Sequence, residues 1–295
     1  PLSYEWDGKA VTAANRVARV RDDTGELLEV TSRNRYHVDN RQPIDIFESF
    51  RDALASEKLE ISHAAVLDGG RKIAVSALLK GSEIDLGSGD KVLPYVTGAT
   101  GYDAMTGTNY FRGGIRVVCD NTLRMGMSDA EGKGRMIRYT ASQHIGQGDL
   151  TGLLTDAMNA VNKEAEFYQR LVSVKLSDDM ARQYFAEILG IDLTFLTAKN
   201  ADGRAVISTR SQNQLNALIV AYKKGPGAHL STANDTLYGA LNALTYIVDH
   251  ESQIRDTHKD GVRVARMTSA TFGTGAQAKA RAVRLAAAML QKVAA

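Results

Sequence analysis

The sequence predicts an α+β protein: a largely antiparallel sheet in the N-terminal half, with a helical C-terminal half packed on it. Apolar residues alternate with a period of two through the first half, and turn signals such as Asp68-Gly69-Gly70 punctuate the runs. At Asp149 the period changes to about 3.6. The change divides the 295 residues into a mainly β subdomain, 1–148, with one helix, and a helical subdomain, 149–295, within one continuous fold.

Residues 1–24 are polar with scattered apolar positions, and Trp6 is expected to anchor this arm on the body or on a neighbouring copy. After Gly25 a strand begins, Leu28 and Val30 alternating with Glu29 and Thr31. Pro43 suits a first helical position, and Ile46, Phe47, Phe50 and Leu54 follow at helical spacing in a helix that ends near Lys58. From His63 to Lys80 two strands flank the Asp68-Gly69-Gly70 turn, the second placing Ile73, Val75, Ala77 and Leu79 on one face. A turn at Gly87–Asp90 leads into a strand over Val92–Thr97, where Pro94 points to a sheet edge or a strand start. From Ile115 to Asp120 the pattern sets Ile115, Val117 and Cys119 against Arg116, Val118 and Asp120. Continued back through Gly113 and Gly114 without a bulge, that strand puts Arg112 and Arg116 on one outer face; the glycine pair also allows a bulge. A strand over Arg135–Thr140 completes about five to seven strands.

Five helices are predicted in the second half. The first, capped by Asp149, runs to Val172 and buries Leu154, Ala157, Val161, Ala165 and Tyr168. Ser177, Asp178 and Asp179 start the second, which Gly190 stops. Leu215, Leu218, Ile219 and Tyr222 mark the third, ended at Gly225. Thr232–His250 forms the fourth, and Ala276–Val293 the fifth, after a turn at Gly273 and Gly275.

With 44% hydrophobic and 24% charged residues the composition is that of an ordinary folded domain, and a net charge of +2 does not by itself argue for nucleic acid. The single cysteine, Cys119, excludes an internal disulfide and fits a reducing compartment. No run of 18 apolar residues and no signal pattern occurs, so neither a membrane span nor secretion is expected, and the cytoplasm is the expected location. A start at Pro1 suggests a removed initiator methionine or a trimmed chain.

Local charge is more informative. Arg112, Arg116, Arg124, Lys133, Arg135 and Arg138 crowd a stretch with few acids, interleaved with Tyr95, Tyr102, Tyr110, Phe111 and Tyr139. After Asp260 no acidic residue occurs, while Arg263, Arg266, Lys279, Arg281, Arg284 and Lys292 remain. Such cations can track phosphates without reading sequence, and tyrosines can stack on unpaired bases. Solvated helix faces and ordinary strand packing account for the same residues in structural terms.

Two other chemistries have weaker support. His250 and His258 lie beside Asp249, Glu251, Asp256 and Asp260 but match no zinc spacing. Asp85, Asp103 and Asp120 could form a nuclease-like Mg²⁺ set, though nothing in the sequence fixes their relative position. Gly273-Thr274-Gly275 lacks the G-K-[ST] ending of a phosphate loop, and no motif for covalent catalysis is present. Neither a catalytic residue, a cofactor nor a metal is therefore expected.

The segment RVVCDNTLRMGM, from Arg116 to Met127, follows a GYDAMTG turn and resembles the R-V-V-C-x-N-T-L core of the phage/plasmid-like protein family, a domain of unknown function on phages, prophages and conjugative plasmids. TLYGALNALTYIVDH, from Thr236 to His250, followed by Phe272-Gly273-Thr274-Gly275, resembles that family's second block, a G-x-x-N-A helix ending in D-H before an F-G-x-G turn. The resemblance implies a mobile-element protein of the bacterial cytoplasm and no particular reaction. GALNALTYIVDH also looks a little like the G-x-A-x-T-Y-x-x-R helix of phage single-strand annealing proteins of the Erf and Rad52-like groups, with Val248 or Asp249 where those proteins carry a basic residue.

The expected function is sequence-independent binding of nucleic acid, single-stranded DNA foremost, assisting annealing, recombination or replication, as a homo-oligomer. The alternatives are a protein-interaction factor acting on host defence or replication, and a metal-dependent nuclease.

Overall fold

A computed structural model describes residues 2–33, 59–103, 108–118, 121–124, 137–139, 163–195, 198–199, 206–255 and 261–294. It has the α+β arrangement, with antiparallel sheets in the N-terminal half and helices in the C-terminal half.

Two hairpins come first. β1 (Leu2–Trp6) pairs with β2 (Lys9–Ala13) across Asp7 and Gly8, whose φ values of 51° and 70° are those a tight Asp-Gly hairpin turn requires. β3 (Arg16–Val20) pairs with β4 (Leu27–Ser32), with a register shift beside Val20. In β4 the expected faces are reversed: Glu29 and Thr31 are buried and Val30 is exposed. Arg19 pairs with Glu29 across the hairpin at 3.5 Å and lies 5.0 Å from the centre of the Tyr102 ring, and Arg21 Nη1 donates to Gly69 O at 3.2 Å, so the charged face of the hairpin is the one turned to the body.

The main sheet has the order β10-β9-β8-β6-β5, built from β5 (Leu59–Leu67), β6 (Lys72–Leu79), β8 (Lys91–Gly101), β9 (Thr108–Arg116) and β10 (Asn121–Arg124). Short β7 (Ile84–Asp85) adds to β8, and β11 (Ile137–Tyr139) to β9, making seven strands. Ile73, Val75, Ala77 and Leu79 are buried on one face of β6, as their spacing predicts. Pro94 lies in a central strand and not at an edge. Val117 N–H donates to Lys91 O at 2.9 Å, so Val92 and Arg116, and likewise Pro94 and Gly114, form non-hydrogen-bonded pairs. The Pro94 nitrogen therefore faces away from β9, into the gap where pairing with β7 ends at Val92 and pairing with β6 starts at Tyr95. The ladder passes Gly113 and Gly114 without a bulge, but β9 stops at Arg116, leaving Val117 and Val118 exposed.

Helix α1 occupies residues 163–173. It is followed by α2 (Asp178–Leu189), α3 (Thr209–Lys224), α4 (Leu237–Tyr246), α5 (Val262–Phe272) and α6 (Thr274–Ala294). Side-chain caps start three of them: Ser177, Ser208 and Thr236 accept from Met180, Ser211 and Gly239 N–H. Gly190, at φ 69°, ends α2. α4 begins later than its sequence pattern suggests and is buried from Leu237 to Thr245, so the other helices surround it. It continues as a π-helical turn over Ile247–Glu251. The expected helix at 43–58, the residues Leu154, Ala157 and Val161, and Cys119 lie outside the described residues. No helix among the described residues is long and apolar enough to cross a membrane.

The main core joins both halves, Ile84 and Val92 from the sheet packing with Tyr168, Phe185, Leu241 and Val283 from the helices. On the opposite sheet face Tyr95, Ala99 and Ile115 pack against Phe272.

Lys223 ties three elements together, with Nζ 2.5 Å from Asp178 and 2.6 Å from Asp235. Hydrogen bonds to Asp178 first, then to Asp235, raise its pKa well above the ordinary 10.5. Tyr222 beside it is pushed up to about 12 by burial. Both groups keep their protons longer in the folded chain than in the unfolded one, so stability holds below pH about 10 and falls as pH rises beyond it. Lys223→Met is expected to cost about 1 kcal/mol or less near neutrality. It should also flatten, without abolishing, the alkaline decline, measured as thermal midpoint against pH from 8 to about 12.

Candidate functional site

The two sequence blocks meet around α4. Arg116, at the end of β9, is 1% exposed and reaches into the helical half. Its Nε and Nη2 donate to the two carboxylate oxygens of Asp90 at 2.7 and 2.5 Å, and Nη2 also donates to Gly227 O at 3.3 Å. Thr232 Oγ1 donates to Asp90 at 2.6 Å, and the Tyr238 ring lies 5.2 Å from the guanidinium. Asp90 is itself fully buried, so each charge depends on the other. Local structure holds the partners in place. Asp90 N–H donates to Gly87 O at 3.0 Å in the turn before β8, while Thr236 Oγ1 donates to Thr232 O at 2.7 Å at the start of α4. Gly227, at φ 71°, allows close approach, since a Cβ there would lie 3.1 Å from Nη1 and Nη2 of Arg116.

At the other end of α4 the π-helical turn presents Asp249 to Lys279 of α6, which is 1% exposed and hydrogen-bonded to it. The α5–α6 turn packs on the same segment: a Cβ on Gly275 would lie 2.8 Å from Val248 Cγ1, and Gly275 N–H donates to Ser269 Oγ at 3.2 Å. This contact is the reason for glycine in Phe272-Gly273-Thr274-Gly275. Asn242 Nδ2 donates to Tyr238 O at 2.9 Å within α4.

The sequence-predicted cations thus separate. Arg116 and Lys279 are buried in ion pairs, and Tyr102 is buried under Arg19, which corrects the expectation that these two cations track phosphates and that Tyr102 stacks on bases. In each case desolvation is offset by an internal partner. Arg266 is half-buried and donates from Nε to Ser252 O at 3.1 Å. Arg263, Arg281 and Arg284 are exposed, and Arg281 also donates to Ile188 O at 2.9 Å near the end of α2. Arg112 and Tyr110 lie on β9, Arg124 on β10 and Arg138 on β11, so the backbone brings these four to one end of the sheet. Lys133 and Arg135 lie outside the described residues.

Among the described residues the candidate carboxylates and histidines do not converge. Asp85 accepts Gly87 N–H at 2.8 Å in a turn, and Asp103 lies 3.4 Å from Lys72, a different part of the sheet. Asp120, Asp256, His258 and Asp260 lie outside the described residues. Among the described residues no group of three metal-ligating side chains is present. His250 packs against Tyr246, with ring centres 5.2 Å apart. The crevice beside Arg116, lined by Gly225, Ala233, Gly239, Asn242 and Tyr246, has room for roughly one water.

The profile of a domain of unknown function (DUF932) matches residues 28–271. The chain belongs to this family. No curated protein and no solved structure matches it. In this DUF932 chain the matched span contains Asp90, Arg116, Thr232 and Tyr238, so the whole buried network lies within the family domain. Lys279 and the exposed arginines of α6 follow it, and the first hairpin precedes it. Sequence reading overlooked Asp90, Thr232 and Tyr238. A detectable signal was present for the first, an acid closing the Gly87–Asp90 turn one residue before an apolar strand.

Proposed function

We propose that this protein binds nucleic acid without sequence preference, single-stranded DNA foremost, along the exposed basic surface of its last two helices, in the service of a phage or plasmid. One observation carries the reading. Arg281, Arg284 and Lys292 are exposed on α6 and, at 100° per residue, fall on one stripe of it. Arg263 is exposed on α5, and no acidic residue occurs after Asp260 to neutralise any of them. Among the described residues none of the four has a carboxylate partner. Cations on a helix face make point contacts with phosphates, which supply affinity and no base information. The likeness of both sequence blocks to mobile-element proteins supports annealing, recombination or replication as the setting, within the bacterial cytoplasm.

Fluorescence anisotropy with a labelled oligodeoxythymidine tests this. Affinity is expected to fall steeply with salt, log K losing roughly 0.7 per phosphate contact for each tenfold rise. Changing Arg263, Arg284 and Lys292 together to Gln should lower that slope by about 2. The fold should be unaffected, because all three side chains are exposed. Salt-independent binding, or wild-type affinity in the triple variant, overturns the proposal.

A further inference from the structure

The first hairpin is an amphipathic ribbon, and among the described residues nothing covers its apolar face. Its register, Leu2 with Ala13, Tyr4 with Val11 and Trp6 with Lys9, gathers the apolar side chains on one side, leaving Ser3, Glu5, Ala10 and Thr12 on the other. Trp6 is 72% exposed and Tyr4 53%. β1 and β2 pair with no other strand among the described residues, and a lone two-stranded ribbon is marginal in water. The second hairpin has a matching surface. Its inner face docks on the body through Arg19, which lies over the Tyr102 ring, while Val20, Leu27 and Val30 on the outer face are 56%, 48% and 39% exposed. β1 approaches β3, yet neither apolar face covers the other within one chain.

We infer that the protein forms a two-fold dimer by reciprocal exchange of these arms, the Tyr4–Trp6 face of each copy covering the Val20–Leu27–Val30 face of its partner. A two-fold axis makes two equivalent contacts from one pair of patches. Together the five side chains offer on the order of 600 Å² per copy, against ~800 Å² per partner in a standard interface. Tryptophan and tyrosine are the residue types that concentrate binding energy at such contacts. Charge argues against a nucleic-acid occupant, because the ribbon carries Glu5 and Asp7 against Lys9 alone. The inference is independent of the phosphate-binding reading and uses different residues.

Trp6 is the single tryptophan, so its emission reports directly on the contact. Sedimentation at micromolar concentration is expected to give a dimer. On dilution the mass should fall to that of a monomer while the emission moves to the red as the indole returns to water. Tyr4→Ser with Trp6→Ser, and separately Val20→Glu with Val30→Glu, should each weaken dimerisation by at least roughly 30-fold. Both variants should keep the wild-type circular dichroism. Mixed in equal amounts they should form a heterodimer, since one of the two contacts then has both faces intact. A monomer at every concentration with unchanging red emission overturns the inference. So does a dimer indifferent to both pairs of changes, or a mixture that stays monomeric. If an oligonucleotide shields Trp6 while the mass remains monomeric, the ribbon serves nucleic acid and the arm exchange is wrong.

Discussion

Arg116→Ala is expected to destabilise the protein by about 3–5 kcal/mol, read from the midpoint of urea unfolding at constant slope. The loss comes less from the missing attraction than from Asp90, which is 0% exposed and would be left as a carboxylate with Thr232 as its remaining side-chain donor. Replacing both members by apolar residues of similar size, Asp90→Leu with Arg116→Met, should cost less than the single change, because no charge is then stranded. A single-variant loss below about 1 kcal/mol would place the pair in solvent and contradict the burial described above.

Gly239→Ala should be comparably damaging, by about 3 kcal/mol or more, and the sign of the effect is diagnostic. In an open helix, exchanging glycine for alanine stabilises by about 1 kcal/mol. At position 239 the added Cβ would stand 1.9 Å from Ala233 O and 2.8 Å from its carbonyl carbon. Those atoms are backbone and have no rotamer to change, so α4 would have to move away from the turn that supplies Thr232. Gly81→Ala is the control: its surroundings are open, and only the strain of φ 69° opposes the change. A Gly239→Ala protein as stable as wild type would mean that α4 does not pack against this turn.

Periodicity made much of this architecture legible. The hairpin at Asp68–Gly70, the alternating β6 face and the caps at Ser177 and Gly190 follow from local rules that tertiary packing did not override. The first hairpin was missed although Asp7-Gly8 signals it, because the flanking residues look too polar to bury. Helix α5 was missed because Val262, Val264, Thr268 and Thr271 depress helix propensity, and its support comes from packing against the sheet. The largest surprise is Arg116. A cation alternating with valines reads as an outward-facing strand residue, and only long-range topology shows that the helical half sits over that face. Lys279 misleads for the same reason, its partner lying 30 residues earlier in a π-helical turn that 3.6-residue periodicity does not anticipate.

The sequence distances within the buried network imply an order of assembly. Asp90 and Arg116 are 26 residues apart, whereas Thr232 lies 142 residues beyond Asp90. During synthesis the sheet leaves the ribosome first, and its guanidinium and carboxylate meet while still hydrated, where such a pair contributes little. Arrival of the later helices strips the water away and turns a weak association into a lock, so a nascent chain stalled before Thr232 would hold its strands without being committed to them.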